Sequence, residues 1–197
     1  MTDEIFRRDG YAFEFEARVL SVEGDTVELD STAFYPGGGG QVCDTGTIRG
    51  HRVTEVSYKG GGIIHKVPGN NLKKGESVWC SVDWDRRYDL MIGHTGEHLL
   101  FCSLRTQVPD LSIGKIFISP ESKYVIVDRD ISWEDVRKAL VFANRAIRDN
   151  LPVTKTIMSR DDPELERVRI KKERIPEGED ISVVSIGGID LSACSGL

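Results

Sequence analysis

The chain has 197 residues, 39% hydrophobic and 29% charged, with a formal net charge of −6. That length supports one large domain or two small ones, each with its own core, and the composition is that of a globular protein. No apolar run approaches the length of a membrane span, the first ten residues lack the basic start and apolar centre of a secretory signal, and the negative charge argues against nucleic-acid binding by bulk electrostatics alone. The expectation is a cytoplasmic, monomeric protein with no membrane partner.

The first part of the chain reads as β-structure. Residues 11–19 alternate apolar and polar side chains, and residues 25–30 do so again after the turn at Glu23 and Gly24. Shorter alternating stretches follow at 51–57 and 78–82, separated by turn signals at Gly60-Gly61-Gly62 and at Pro68-Gly69-Asn70. Short strands with regular turns predict a small β-barrel-like domain over residues 1–85.

The pattern changes near Asp85. Between Arg86 and Thr106 apolar residues recur at helical spacing (Leu90, Met91, Leu99, Leu100, Leu104). A second helix begins after Ser132, with Asp135 completing a capping box and Val136, Leu140, Ala143 and Ile147 expected on its apolar face. Strands are expected at 115–119, 123–128, 152–158 and 180–186. Helices and strands that do not strictly alternate predict an α+β domain over 86–197, with a mixed or antiparallel sheet and flanking helices. The basic cluster Arg167, Arg169, Lys171, Lys172 and Arg174 follows the acidic Asp161, Asp162, Glu164 and Glu166. It reads as a solvated helix face with mixed-sign pairs.

Four cysteines, Cys43, Cys80, Cys102 and Cys194, show no short paired spacing. They are expected to be reduced, and the first three read as small buried hydrophobes. Two of the four histidines lie four apart, in His94-Thr-Gly-Glu-His98. Four residues of helix turn the chain by about 400°, so the imidazoles project within roughly 40° of each other, as two ligands of one zinc ion must. His51 and His65 lie in the β-rich part at unhelpful spacing and receive no function. The same five residues fit the H-x-x-E-H pattern of inverted zinc peptidases, with Glu97 as general base. That reading requires a third, acidic ligand on a following helix, for which Glu164, Glu166 and Glu173 are available but unmarked.

Context favours another reading. The stretch 82–100, VDWDRRYDLMIGHTGEHLL, resembles the opening of the editing domain of alanyl-tRNA synthetases and their free-standing relatives, the AlaX proteins. Residues 29–41, LDSTAFYPGGGGQ, followed by Asp44-Thr45-Gly46, are similar to that family's glycine-rich motif, and residues 187–196, GGIDLSACSG, are similar to the segment carrying its C-x-x-x-H pair. The three motifs occur in the family's order and spacing, and the expected match is to its free-standing members rather than to a synthetase with an aminoacylation domain.

The resemblance implies a trans-editing hydrolase acting on tRNA(Ala) mischarged with serine or glycine, with one Zn2+ per chain. It implies His94, His98 and Cys194 as metal ligands, and a histidine at position 198, one past Leu197, so the sequence reads as shortened at its C-terminus. Gly39, Gly40 and Gln41 are expected to meet the terminal adenosine or the ester, with Tyr35 and Pro36 as structural supports. Thr95 and Ser112 are candidate partners for a serine hydroxyl. Glu97 would relay a proton or hold the substrate amino group, against the alternative of a helix-surface carboxylate. A non-catalytic, zinc-ordered tRNA-binding module is the remaining alternative.

Overall fold

The computed structural model describes residues 2–170 and 180–197. The chain is α+β, and it divides into two compact units: the first holds residues up to His94 with Phe117–Lys123 and Gly196–Leu197, and the second holds Thr95–Ile116 and Tyr124–Ser195. No helix among the described residues is long and apolar enough to cross a membrane.

The first unit opens with β1 (Asp3–Glu4), α1 (Ile5–Arg8), β2 (Glu14–Glu23), β3 (Thr26–Leu29) and β4 (Ser31–Thr32). It continues with β5 (Gly46–Ile48), β6 (His51–Val53), β7 (Glu55–Lys59), β8 (Gly62–Lys66) and β9 (Ser77–Val82). Seven of these strands form a barrel-like antiparallel sheet in the order β6-β5-β9-β2-β3-β8-β7. Strand β2 holds it together by pairing with β9 through Glu14–Arg18 and with β3 beyond Val19, where a register shift bends the strand. Phe15, Ala17 and Val19 alternate inward from β2 and meet Val27, Leu29 and Phe34 in the core.

Strands β5 and β8 escape the pattern. β5 is only three residues long, too few for a period to register. β8 begins in the glycine triplet, and its inward positions are Ile63 and a histidine, His65, which a hydrophobicity reading counts as polar. His65 is fully buried, its ring nitrogens 2.9 Å from Thr32 Oγ1 and 3.1 Å from the Val27 carbonyl. Burial holds its pKa down at about 4.

Helix α2 (Trp84–Gln107) follows, then β10 (Ile113–Ile118), β11 (Lys123–Val127), α3 (Trp133–Arg148), β12 (Val153–Met158), a 3-10 turn (Pro163–Arg167), β13 (Ile181–Ile186) and β14 (Asp190–Ala193). β12, β13 and β14 form an antiparallel three-stranded sheet, while β10 and β11 pair with each other. Ser132 caps α3 as expected, its Oγ accepting from the Asp135 amide at 3.1 Å. The buried face of α3 differs from the expected one: Ala139, Ala143 and Ala146 are buried, whereas Leu140 and Ile147 are 45% and 63% exposed. The reason is steric. The alanines pack with Leu99, Phe101 and Leu104 of α2, whose bulk fills much of the interface, and of the larger residues expected on this face Val136 joins them, partly buried.

The basic cluster also departs from a uniform helix face. Arg167 does pair with Glu164 across the 3-10 turn, at 3.1 Å. Arg169 lies in extended chain and turns inward, and Lys171, Lys172 and Arg174 lie outside the described residues.

Candidate metal centre

The glycine-rich stretch is a tight loop. Gly37, Gly38, Gly39 and Gly40 all have positive φ (82°, 147°, 60° and 95°), a run that side-chain-bearing residues do not adopt. Gly38 and Gln41 exchange backbone hydrogen bonds of 3.0 Å, and the loop is tied to β10 through Ile118 N to Gly40 O (2.8 Å) and Val42 N to Ile118 O (3.0 Å). Tyr35 and Pro36 are buried at its base, the Tyr35 hydroxyl donating to the Gly38 carbonyl at 3.1 Å.

The loop's far end is anchored from inside. Asp44 accepts the Tyr35 amide at 2.6 Å and returns its own amide to the Tyr35 carbonyl at 3.0 Å, closing the segment 35–44. Its carboxylate is fully buried and paired with Arg87 of α2, which also donates to the carbonyls of Gly10 (2.8 Å) and Ala33 (2.6 Å). The result is a buried Gln41 whose Oε1 lies 2.7 Å from His94 Nδ1. Gln41 Nε2 has no hydrogen-bond partner among the described residues. The Cα of Gly196 lies over the same imidazole, so closely that a Cβ there would stand 2.0 Å from His94 Cε1.

His98 is held from its own side. Its Nδ1 donates to Ser192 Oγ (2.8 Å) and Asp190 Oδ2 (3.1 Å), and the Ser192 hydroxyl in turn donates to Asp190 Oδ2 at 2.8 Å. Arg169 donates to both Asp190 oxygens at 3.2–3.3 Å and lies 4.9 Å above the Phe101 ring. Burial works against the carboxylate of Asp190, but His98, Arg169 and Ser192 outweigh it and keep its pKa below the ordinary value. Burial likewise opposes charge on His98, yet Asp190, Cys194 and Glu97 raise its pKa to about 9. Without a metal that ring keeps its proton at neutral pH, and a metal at Nε2 would displace it.

His94, His98 and Cys194 come together: one ligand atom from each lies within 4.8 Å of the others. Two imidazoles and a thiol are a zinc donor set, and zinc–ligand distances of about 2.0–2.3 Å set donor separations somewhat under this spread. With both Nδ1 atoms engaged, each ring would present Nε2 to the ion, the arrangement that outer hydrogen bonds impose on metal-bound histidines. The residues fit the metal.

Of the remaining expected site residues, Glu97 is buried, which removes the helix-surface reading. Thr95 is half-buried on α2, and Gly39 is exposed and Gly40 half-buried in the loop. Ser112 is exposed at the start of β10, its backbone bonded to Asp128, and is not one of the clustered donors. Glu164 is occupied with Arg167, and Glu173 lies outside the described residues. Asp190, Ser192 and Arg169 were not anticipated. A signal existed for the first two: Asp190, Ser192 and Cys194 recur at the two-residue period that places side chains on one face of a strand.

The barrel-like unit, the α+β unit and the His-His-Cys donor set define an α+β protein equipped to hold a metal. A family model described as class II tRNA synthetases (A) matches residues 7–86. The chain is 34% identical over its whole length to the alanyl-tRNA editing protein AlaX-L of Pyrococcus horikoshii, covering 50% of that protein. It is 33% identical to the alanyl-tRNA editing protein AlaX-M of Saccharolobus solfataricus, covering 86% of it, and 34% identical to the alanine–tRNA ligase of Ignicoccus hospitalis, covering 22%. The chain belongs to the AlaX family of alanyl-tRNA editing proteins. It spans half the length of AlaX-L and a smaller part of the ligase.

Proposed function

We propose that this chain hydrolyses the ester of tRNA(Ala) mischarged with serine or glycine, using one zinc ion held by His94, His98 and Cys194. The observation that carries the reading is the convergence of these three donors, two from α2 and one from the residue just past β14, far apart in sequence, in a chain related throughout to alanyl-tRNA editing proteins. In the reaction a water oxygen bonds to the ester carbonyl carbon, the bond to the ribose oxygen breaks, and the water proton passes to that oxygen. Bound zinc supplies Lewis acidity, whether toward water or toward the substrate.

The protein groups have distinct tasks. Gln41 accepts from His94 Nδ1 and so fixes its tautomer, while its buried Nε2 is a donor for an oxygen of the ester. Gly39 and Gly40 let the backbone approach the terminal adenosine closely. Glu97, buried beside His98, holds the substrate ammonium group or passes its proton. Preference for serine over alanine requires a hydrogen bond to the serine hydroxyl, which alanine lacks, and Thr95 and Ser112 are the candidates for it; this contact does not act on glycine.

Zinc-loaded protein is expected to release serine from Ser-tRNA(Ala) while sparing Ala-tRNA(Ala) and leaving peptides uncut, and Cys194→Ala is expected to lose both zinc and hydrolysis. Intact Ser-tRNA(Ala) after incubation with fully loaded protein would refute editing and leave a tRNA-binding role.

A further inference from the structure

We infer that Asp190, Ser192 and Arg169 form a positioning device for His98 that sets how strongly this chain holds a metal. The inference rests on the metal reading above and concerns residues that do not themselves touch the ion. Its core is the direction of the hydrogen bonds. The Ser192 hydroxyl spends its proton on Asp190 Oδ2 (2.8 Å), so toward His98 it can only accept. The carboxylate also only accepts. Two acceptors at 2.8 and 3.1 Å from Nδ1 outweigh the one donor group near it, the Arg169 guanidinium at 3.4 Å, and place the proton on that nitrogen, which leaves the Nε2 lone pair for the metal.

Arg169 completes the device in two ways. Its guanidinium holds both oxygens of Asp190 and lies on the Phe101 ring, so the carboxylate cannot swing away from the imidazole. Its backbone runs beside β14, the amide donating to the Leu191 carbonyl (2.8 Å) and the carbonyl accepting from the Ala193 amide (3.1 Å). These two bonds flank Ser192 and end one residue before Cys194, so one residue braces the partner of the second histidine and the strand that delivers the thiol. Outer partners of this kind are worth about 10–100-fold in metal affinity.

The test measures metal affinity rather than hydrolysis. Zinc dissociation constants would be taken by competition with a chromophoric chelator, and the Co2+-substituted protein would be read through its thiolate charge-transfer band. Thermal melting of the apo forms monitors folding. Asp190→Asn keeps the shape but removes the charge, and Ser192→Ala removes one acceptor. Arg169→Met keeps bulk on Phe101 while releasing Asp190. The expectation is a loss of affinity of about tenfold or more for Asp190→Asn, with smaller losses for the other two, measured well below each variant's own melting temperature, which falls in Asp190→Asn because a buried pair is broken. Should Asp190→Asn not fold, the other two variants carry the same reading. Wild-type affinity in the folded variants would overturn the positioning role while leaving the metal site standing. A wild-type protein that shows no Co2+ thiolate band would overturn the metal reading and this inference together.

Discussion

Arg87→Met tests whether the glycine-rich loop is held from the core. Arg87 and Asp44 are both fully buried and paired, and Arg87 also serves the Gly10 and Ala33 carbonyls. Methionine keeps most of the apolar volume but leaves the Asp44 carboxylate buried with the Tyr35 amide as its remaining hydrogen-bond donor. Breaking a buried pair by removing one partner costs about 3–5 kcal/mol, because the surviving charge is uncompensated. For a cooperative unit of 150–250 residues each kcal/mol moves the melting temperature by about 2–4 °C, so a fall on the order of 10 °C is expected. Urea unfolding followed by fluorescence of Trp79 and Trp84, both in the first unit, supplies the free energy. The double variant Arg87→Met with Asp44→Asn removes the stranded charge and should recover about half the loss. The reasoning fails if Arg87→Met lies within about 1 kcal/mol of wild type, or if the double variant is no more stable than the single one.

Two further outcomes follow from groups placed by the fold. His65 has a folded pKa of about 4 against an ordinary 6.5, so the unfolded chain binds the extra proton as pH falls below 6.5. Stability of the barrel-like unit should therefore be intact at pH 7 and about 2–3 kcal/mol lower at pH 4.5 from this group alone, the loss ending near pH 4. Equilibrium unfolding at the two pH values, compared with a folded His65→Gln variant, isolates the effect; an equal pH dependence in the variant would assign it to other groups. Gly196→Ala would drive a methyl group into the His94 ring, whose Nδ1 is hydrogen-bonded to Gln41. It should weaken zinc binding at least about tenfold without altering a ligand, since displaced ligands lose coordination geometry. Chelator competition reads it directly, and wild-type affinity would show that His94 yields without cost.

Local periodicity and side-chain chemistry were legible along the chain before any fold was known. Alternation made β2 and β3 legible, the 3.6-residue repeat made α2 legible, and Ser132 with Asp135 marked the start of α3, because these signals act between neighbours along the chain. The spacing of His94 and His98 was readable for the same reason. The convergence of Cys194 with them was readable only through the family resemblance, since no local period links residues so far apart.

Steric fit and partners distant in sequence emerge with the fold, because no neighbour along the chain encodes them. Hydrophobicity favoured Leu140 and Ile147 for the core of α3, but the bulk of Leu99, Phe101 and Leu104 selected the alanines instead. Arg169 and Arg87 look alike as charges in a sequence with 26 lysines and arginines. One closes the outer shell of His98 and the other anchors the glycine loop, because an arginine's role depends on which carboxylate the fold brings within hydrogen-bond reach and on whether water is excluded there.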